Sequence, residues 1–253
     1  MPTLWYVFYS WLDMRVFLAG TANNEKMIKE NMPIYVLESF YYIKEWQKYL
    51  IDNCDMFLLD SGAFTFMNNN KGEINWKEYI DKYADFIIRN DVKYFFELDI
   101  DAIVGYEKVK EYTKYLESKV GRKSIPVWHK SRGIEEWERL TKEYDYIAIG
   151  GFVIKEITKK DYKYIPKLLD IAKKNRCKVH GLGFTSMENL KKLKFYSVDS
   201  TTWQEGSRFG VVHLFDGEKI KKVHSKEKRA IKTINEHNYP QWLKYQKYAD
   251  KFL

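Results

Sequence analysis

Short β-type runs alternate with amphipathic, charged stretches along most of this 253-residue chain. The runs are apolar, with many β-branched and aromatic side chains, and the stretches between them carry apolar residues at spacings of three and four. Such alternation predicts parallel strands with helices packed outside them. The predicted strands are Val16–Gly20, Ile34–Ser39, Met56–Asp60, Tyr94–Asp99, Ile125–His129, Tyr146–Gly150, Lys178–Leu182 and Phe195–Asp199.

Eight strand–helix units favour a closed (β/α)₈ TIM barrel over an open doubly wound sheet, which is the alternative. A barrel of this kind typically needs about 250 residues. We therefore predict one domain over residues 1–253, with the barrel in 1–215 and a helical, basic C-terminal extension in 216–253. Val211–Phe215 reads as a short extra strand, and Ser225–Leu253 as helical with a break near Pro240.

The extension mixes lysines with aromatic residues, a composition that suits contact with phosphates and stacked bases. A helix that covers the barrel with its aromatic residues and exposes its lysines fits the same pattern at least as well. The basic residues predicted to bind nucleic acid are Arg208, Lys226, Lys228 and Arg229.

Net charge and cysteine content indicate the kind of partner and the compartment of the protein. The formal net charge of +8 and the isoelectric point near 9.1 favour a polyanionic partner, above all nucleic acid, although surface lysine alone produces such a surplus. Cys54 and Cys177 form neither a Cys-x-x-Cys pair nor a disulfide framework, which indicates a reducing cytoplasm. We find no signal peptide and no apolar run long enough to span a bilayer.

Three of the predicted strands end in a carboxylate: Asp60, Asp99 and Asp199. A single aspartate at a strand end is often only a cap for the next helix. In a barrel, however, the carboxyl ends of the strands share one rim, and active sites lie there. Three acids on one rim therefore predict a catalytic site that can supply a nucleophile, a base and a substrate clamp.

Two glycine-containing segments follow later strands. AIGG covers residues 148–151, with Glu156 five residues further on, and HGLG covers residues 180–183. Glycines here allow a ligand to approach the backbone, although tight turns use glycine as well. The second segment lacks the rest of a dinucleotide-binding fingerprint, so we predict no cofactor.

Taken in order, these segments resemble the tRNA-guanine transglycosylase superfamily. DSGAF at residues 60–64 is similar to the family's DSGG(F/Y), AIGG with Glu156 to its AIGGLxxGE, and HGLG to its MGVG. Asp199 falls on the Asp of the family's FDC, with Arg208 and Gly210 at the spacing of a later Arg and Gly. The resemblance covers residues from about Asp60 to Gly210.

The family is a (β/α)₈ barrel that exchanges guanine for a 7-deazaguanine base in nucleic acid. The resemblance implies that Asp199 is the nucleophile, that Asp60 is the general acid/base, and that Asp99 holds the base edge. The further base-binding residues that we predict are Gly150, Gly151, Glu156, His129, His180, Gly181 and Phe64. Glu156 would support the pocket, and the histidines would contact O6 or N7 of the base, unless they are ordinary buried histidines. Stacking candidates besides Phe64 are Phe152, Phe184 and Trp203, for which core packing is the stronger interpretation.

The departures from the family pattern concern the parts that grip tRNA. The Cys₃His zinc site is absent, His129 stands where the family has Gln, and residues 202–205, TWQE, replace the segment after the nucleophile. A compact, zinc-free, basic chain resembles more closely the DNA-directed, DpdA-like branch found in phages and bacterial islands. The expectation is therefore a cytoplasmic enzyme of a bacterial or archaeal host, encoded by the host or by a phage.

The predicted activity is exchange of guanine in DNA for a free, preQ0-like 7-deazaguanine, through a covalent aspartyl–deoxyribosyl intermediate. Alternatives are the same exchange on tRNA, a noncatalytic nucleic-acid-binding paralogue, and an unrelated barrel glycosidase. A glycosidase would leave the glycine segments unexplained, and the presence of both Asp60 and Asp199 argues against a noncatalytic role. The sequence leaves open whether the protein forms a homodimer.

The missing Cys₃His set leads to a prediction about metal. We expect base exchange to persist after treatment with a chelator, because no zinc site of that type exists in the chain. Metal analysis of the purified protein, with exchange measured before and after chelation, tests this. Stoichiometric zinc whose removal abolishes exchange would contradict it.

Overall fold

The structure, a computed structural model, describes residues 14–62, 65, 74–184, 186–224 and 231–253. Eight parallel strands form its main sheet. All eight predicted strands are present; the strand at Met56–Asp60 has the predicted bounds, and the others differ by one to four residues at one or both ends. The eight strands are β1 Arg15–Ala19, β2 Tyr35–Ser39, β3 Met56–Asp60, β4 Tyr94–Phe95, β5 Val127–Trp128, β6 Tyr146–Ile149, β7 Lys178–Gly181 and β8 Ser197–Ser200.

The sheet curls into a (β/α)₈ TIM barrel, as predicted. Its order is β4-β3-β2-β1-β8-β7-β6-β5, and β4 and β5 meet through one parallel bridge between Phe96 and Ile125. Two backbone hydrogen bonds accompany this bridge: Ile125 N–H donates to Phe95 O at 2.8 Å, and Glu97 N–H donates to Ile125 O at 3.0 Å. The seam between β4 and β5 is therefore short, and side chains reinforce it.

Glu97 completes that seam from a buried position. Its carboxylate accepts hydrogen bonds from Val127 N–H at 3.0 Å, from the Thr113 hydroxyl at 2.8 Å and from Arg132 at 3.1 Å. Burial raises the pKa of Glu97, and the nearby Arg132 opposes that rise. Arg132 is itself buried and also contacts Asp101 at 3.1 Å. One ion-pair network thus links β4, β5 and the segment after β5.

Two apolar layers follow from the period-two alternation of the strands. The smaller cluster consists of strand residues and their direct neighbours, and it fills the barrel interior. Its buried members are Phe17, Ala19, Tyr35, Leu37, Met56, Leu58, Phe96, Ile125, Val127, Tyr146 and Ala148. The larger cluster packs the opposite face of the strands against the helices.

The predicted helices lie between the strands. Helix α3 begins after Asn75, whose side chain accepts a hydrogen bond from Glu78 N–H at 3.2 Å and so caps the first turn. Its buried residues recur at helical spacing from Trp76 to Ile87. The helices are α1 Glu25–Glu30, α2 Lys48–Asn53, α3 Trp76–Arg89, α4 Asp101–Val104, α5 Tyr106–Val120, α6 Gly133–Glu143, α7 Ile165–Lys174, α8 Met187–Leu190, α9 Glu205–Phe209 and α10 Ile231–Phe252.

Beyond the barrel, β9 (Val211–Phe215) forms where the extra strand was predicted. It pairs antiparallel with β10 (Ile220–His224) in a separate two-stranded sheet. Helix α10 packs on β9 and along β1. The Gln246 side chain joins this helix to the barrel, because it donates to Val16 O and Tyr35 O at 2.7 and 2.8 Å and accepts from Ile34 N–H.

The predicted break near Pro240 is wrong, since α10 continues through this residue. Proline removes one helical hydrogen bond, but side chains on both sides are fixed by tertiary contacts. Asn238 bonds the backbone of β9, accepting from His213 N–H at 2.8 Å and donating to Val211 O at 2.8 Å. Tyr239 and Trp242 are buried beside it. Packing against the barrel therefore keeps the helix continuous.

Three aromatic residues of α10 are packed away from solvent, whereas Phe252 is 62% exposed. Tyr239, Trp242 and Tyr245 are buried, whereas Lys244, Lys247 and Lys251 are exposed. The helix covers the barrel, which was the alternative interpretation of the lysine–aromatic pattern. Phe64, Lys226, Lys228 and Arg229 lie outside the described residues, as does the side chain of Arg208 in α9. Within the described part of the chain, no helix is long and apolar enough to cross a membrane.

The Glu97 network leads to a prediction about stability. Glu97→Ala leaves Arg132 with Asp101 alone and removes the acceptor of Val127 N–H, so we expect unfolding to require about 3–5 kcal/mol less free energy. Urea denaturation measures this loss. Lys82→Ala, which breaks an exposed pair with Glu78 on α3, is the matched control and should change stability by about 0.5 kcal/mol or less. Equal effects of the two variants would show that the seam does not depend on Glu97.

Candidate active site

The three predicted acids meet at the carboxyl rim of the barrel. Asp60 ends β3, Asp99 lies just beyond β4, and Asp199 is in β8. The charges of Asp99 and Asp199 both act on Asp60 strongly enough to raise its pKa. Asp60 and Asp99 are partly exposed and Asp199 is nearly buried. The rim thus collects three carboxyl groups that influence one another.

Asp60 holds its proton to an unusually high pH. The pKa of Asp60 is raised from the ordinary 3.8 to about 7, chiefly by burial. The hydrogen bond that Oδ2 accepts from Gly62 N–H at 3.2 Å lowers this pKa, whereas the negative charges of Asp99 and Asp199 raise it further. Near neutral pH this carboxyl group is therefore present in both forms. A group of this kind can both donate and accept a proton.

Asp199 is held by two hydrogen bonds to the same oxygen. Its Oδ1 accepts from Gly183 N–H at 2.5 Å and contacts His180 Nε2 at 3.1 Å. Oδ2 accepts no hydrogen bond from the described residues. The carboxylate is consequently oriented by one oxygen, while the other is available to a reacting atom.

A buried polar chain continues behind His180. Its Nδ1 lies 2.7 Å from the Ser197 hydroxyl, which lies 2.5 Å from the Tyr146 hydroxyl. Because a carboxylate oxygen accepts, His180 donates through Nε2 to Asp199, and Nδ1 can accept from Ser197. Ser, His and Asp thus adjoin as in hydrolase triads, but Ser197 is 0% exposed inside the barrel. The chain therefore orients Asp199 and does not present a serine nucleophile.

His129 bridges two acids on the opposite side of the rim. Its Nε2 lies 2.8 Å from Asp99 Oδ1, and its Nδ1 lies 2.8 Å from Glu156 Oε2. Burial alone would lower the pKa of His129, but the hydrogen bonds and charges of Asp99 and Glu156 outweigh it and raise the pKa to about 9. His129 is therefore an imidazolium at neutral pH that donates to both acids.

Both predicted base-contacting histidines have their ring nitrogens engaged by protein groups. His129 bonds Asp99 and Glu156, and His180 bonds Ser197 and Asp199. Neither has a free nitrogen for O6 or N7 of a base. Their shared role in this structure is to orient the acids, which corrects the expectation of direct contact. Glu156, which was predicted to support the pocket, bonds His129 and also accepts from Ser131 N–H at 2.7 Å.

The same region contains a group of potential metal ligands. One atom each of Asp99, Asp101 and His129 lies within 4.8 Å of the others. These atoms are already in ion pairs, His129 with Asp99 and Arg132 with Asp101. In this structure the group is a hydrogen-bonded ion-pair network.

Contacts within the protein explain why glycine occupies several positions of the site. A Cβ at Gly150 would lie 2.9 Å from the His129 ring, and one at Gly151 would lie 3.0 Å from Glu156. At Gly181 it would meet Phe184 at 3.0 Å. Side chains of the protein, and not only a ligand, therefore require these glycines. Gly183 is the functional glycine that the prediction missed, because its N–H holds Asp199; the Gly-x-Gly spacing was the available signal.

The aromatic stacking candidates that the structure describes belong to the core. Phe184 and Trp203 are 1% and 0% exposed, and Trp203 donates to Ala19 O at 2.8 Å. Phe152 is partly buried and packs edge-on against Phe184 with ring centroids 5.0 Å apart. Core packing was the stronger interpretation for all three. The sequence did not indicate Tyr79, whose pKa is raised by burial and, to a smaller extent, by the nearby charge of Asp60.

Comparison with known proteins supports the fold. No family model and no curated protein matches the chain. Among solved structures, it is similar to a protein assigned as a fructose-1,6-biphosphate aldolase from Coccidioides immitis, with a TM-score of 0.54 and 13% identity over 98% of this chain and 90% of that chain. At this identity the likeness shows a shared barrel and carries no information about the reaction.

The raised pKa of Asp60 predicts how stability depends on pH. Between 3.8 and about 7 the folded protein keeps a proton that the unfolded chain has released, so stability falls as pH rises through this window. Asp60→Asn removes this component. From pH 5 to 8, the variant should gain about 1–3 kcal/mol relative to the wild type. Urea denaturation at both pH values measures the gain.

Asp85→Asn is the control for that experiment, because Asp85 is an exposed acid on α3. Its stability relative to the wild type should not change between the two pH values. A pH-independent difference for Asp60→Asn would contradict a raised pKa at Asp60.

Proposed function

We propose that the protein exchanges guanine in DNA for a free 7-deazaguanine base, with Asp199 as nucleophile and Asp60 as general acid/base. The observation that carries the proposal is the pair formed by an oriented Asp199 and an Asp60 that titrates near neutrality on the same rim. Two carboxyl groups in different environments are what glycosyl transfer through a covalent intermediate requires.

The chemistry follows from these two groups. Asp199 Oδ2 attacks C1′ of the target nucleotide, and the C1′–N9 bond breaks through an oxocarbenium-like state. Protonated Asp60 gives its proton to the departing guanine. The incoming base then returns a proton to Asp60 as its nitrogen attacks C1′ and releases Asp199. Because Asp60 titrates near pH 7, it can serve in both directions.

Recognition of the base is assigned to Asp99. Guanine and 7-deazaguanines present N–H groups on one edge, and a carboxylate accepts from such groups. His129 donates to Asp99 Oδ1, and Glu156 holds the imidazolium from its other side. The cation offsets part of the repulsion among the acids of the rim.

DNA is proposed over tRNA because the Cys₃His set and the segment that follows the nucleophile in the tRNA enzymes are both missing from this sequence. The net charge of +8 suits either nucleic acid. The deciding assay offers the protein DNA or tRNA, each labelled in guanine, with a free 7-deazaguanine such as preQ0. We expect label release from DNA and not from tRNA. Release from tRNA alone would contradict the proposed substrate.

Single substitutions test the roles. Asp199→Asn should bind DNA but form no covalent protein–DNA adduct on denaturing gels, whereas the wild type should form one when the acceptor base is withheld. Asp60→Asn should slow exchange by about 10²- to 10⁴-fold through loss of the proton shuttle. Asp99→Asn should weaken binding of the free base, because an amide can present a donor where an acceptor is needed.

Asp85→Asn serves again as the matched control and should exchange like the wild type. Mass spectrometry locates the adduct within the chain. An adduct on Asp60 or Asp99 would reverse the assigned roles. Full activity of Asp199→Asn would exclude the mechanism.

A further inference from the structure

The segment between β6 and α7 places an exposed apolar tip beside the candidate active site. Val153 is 61% exposed and Ile154 is 46% exposed. Exposed aliphatic residues are common singly, but here two are adjacent on a loop at the catalytic rim. No described residue covers them, so the tip is available to a partner.

This loop is rigidly held at its base. Ile157 N–H donates to Gly151 O at 3.1 Å and closes the loop. Glu156 is bonded to His129 and to Ser131 N–H, and Phe152 packs against Phe184. The tip is therefore fixed relative to the acids of the site.

The same loop contains one residue with an unfavourable backbone conformation. Lys155 has φ of +61°, a conformation that side chains other than glycine rarely adopt. Among the described residues, Asp91 and Arg176 also have a positive φ, and both follow the end of a helix, where this conformation is common. Lys155 lies inside a loop, and the contacts at the base of the loop maintain its conformation.

The tip adjoins the residue that orients Asp199. Val153 Cγ2 lies 2.5 Å from the position that a Cβ of Gly183 would occupy, so the valine rests on the Gly183 backbone. Gly183 N–H in turn donates to Asp199. One residue, Gly183, thus separates the apolar tip from the proposed nucleophile.

Several lysines follow the tip in the segment between β6 and α7. Lys155, Lys159 and Lys160 are exposed and form no ion pair with a described residue. The two acids of the loop are occupied, Glu156 by His129 and Asp161 by Lys130 at 2.7 Å. An apolar tip flanked by unpaired lysines is complementary to a base stack flanked by phosphates.

We propose that Val153 and Ile154 form a wedge that enters the base stack of duplex DNA at the place vacated by the target nucleotide. This inference rests on the proposed function. A base inside a duplex cannot reach a recessed site, so it must leave the stack, and apolar side chains compensate for the lost stacking. The lysines contact phosphates beside the gap. Two aliphatic side chains are too small a surface for a stable protein interface, which needs roughly 800 Å² on each partner.

Exchange on three matched oligonucleotides tests the wedge: a normal duplex, a duplex with an abasic site opposite the target guanine, and the single strand. V153S/I154S should lose about 10- to 100-fold in exchange on the normal duplex, where unstacking costs a few kcal/mol. Its exchange on the single strand should equal that of the wild type, and the abasic duplex should restore most of the loss.

Ile88→Ser is the matched control. Ile88 is 51% exposed near the end of α3 that leads into β4, at the opposite end of the barrel. This variant should match the wild type on all three substrates. An equal loss by V153S/I154S on duplex and single strand, or no loss on either, would overturn the wedge.

A second readout does not depend on chemistry. In a guanine-rich duplex that carries 2-aminopurine beside each guanine, extrusion of a neighbour increases fluorescence. The wild type should increase it on binding, and V153S/I154S should not. If the wild type increases fluorescence without exchanging any base, the proposed function fails while the wedge stands. If both proteins bind without a difference in fluorescence, the wedge is wrong.

Discussion

Closure of the barrel between β4 and β5 is the constraint on which the site depends. The two strands share a single bridge, Phe96 to Ile125, and the buried Glu97 adds the hydrogen bond to Val127 N–H that the short ladder lacks. Arg132 neutralises Glu97 and Asp101 at the same place. Because the seam closes here, Asp99 beyond β4 lies within hydrogen-bonding distance of His129 beyond β5. An open sheet would leave these two residues at opposite edges.

The concentration of carboxyl groups on one rim creates an electrostatic cost that the structure reduces in two ways. Asp60 holds its proton to about pH 7, and His129 carries a positive charge between Asp99 and Glu156. Asp199 is separated from that pair and is oriented by His180 and Gly183 N–H. Each acid therefore has its own environment, which is the condition under which chemically identical groups perform different steps.

The strand pattern was predictable because each strand is a short apolar run ended by a polar residue or glycine, and local composition determines that property. The three acids at strand ends were predictable for the same reason, since barrel topology brings strand ends together. The continuity of α10 through Pro240 was not predictable. Local propensity ends a helix there, but Asn238 and Trp242 are bound by β9 and the barrel, which are remote in sequence. The sequence indicated Gly150 and Gly151 as site residues. The reason that these positions need glycine, close contact with His129 and Glu156, depends on tertiary structure.

The sequence by itself determined the eight strands, the barrel class, and the positions of Asp60, Asp99 and Asp199, because these follow from periodicity and from where apolar runs end. Only the tertiary structure decided the state and partners of those acids. The pKa of Asp60 depends on burial and on two charges that lie 39 and 139 residues away in the chain. The partners of His129 come from β4 and from the loop after β6. Electrostatic interactions act through space, so the chemistry of the rim arises only when the closed barrel brings distant segments together.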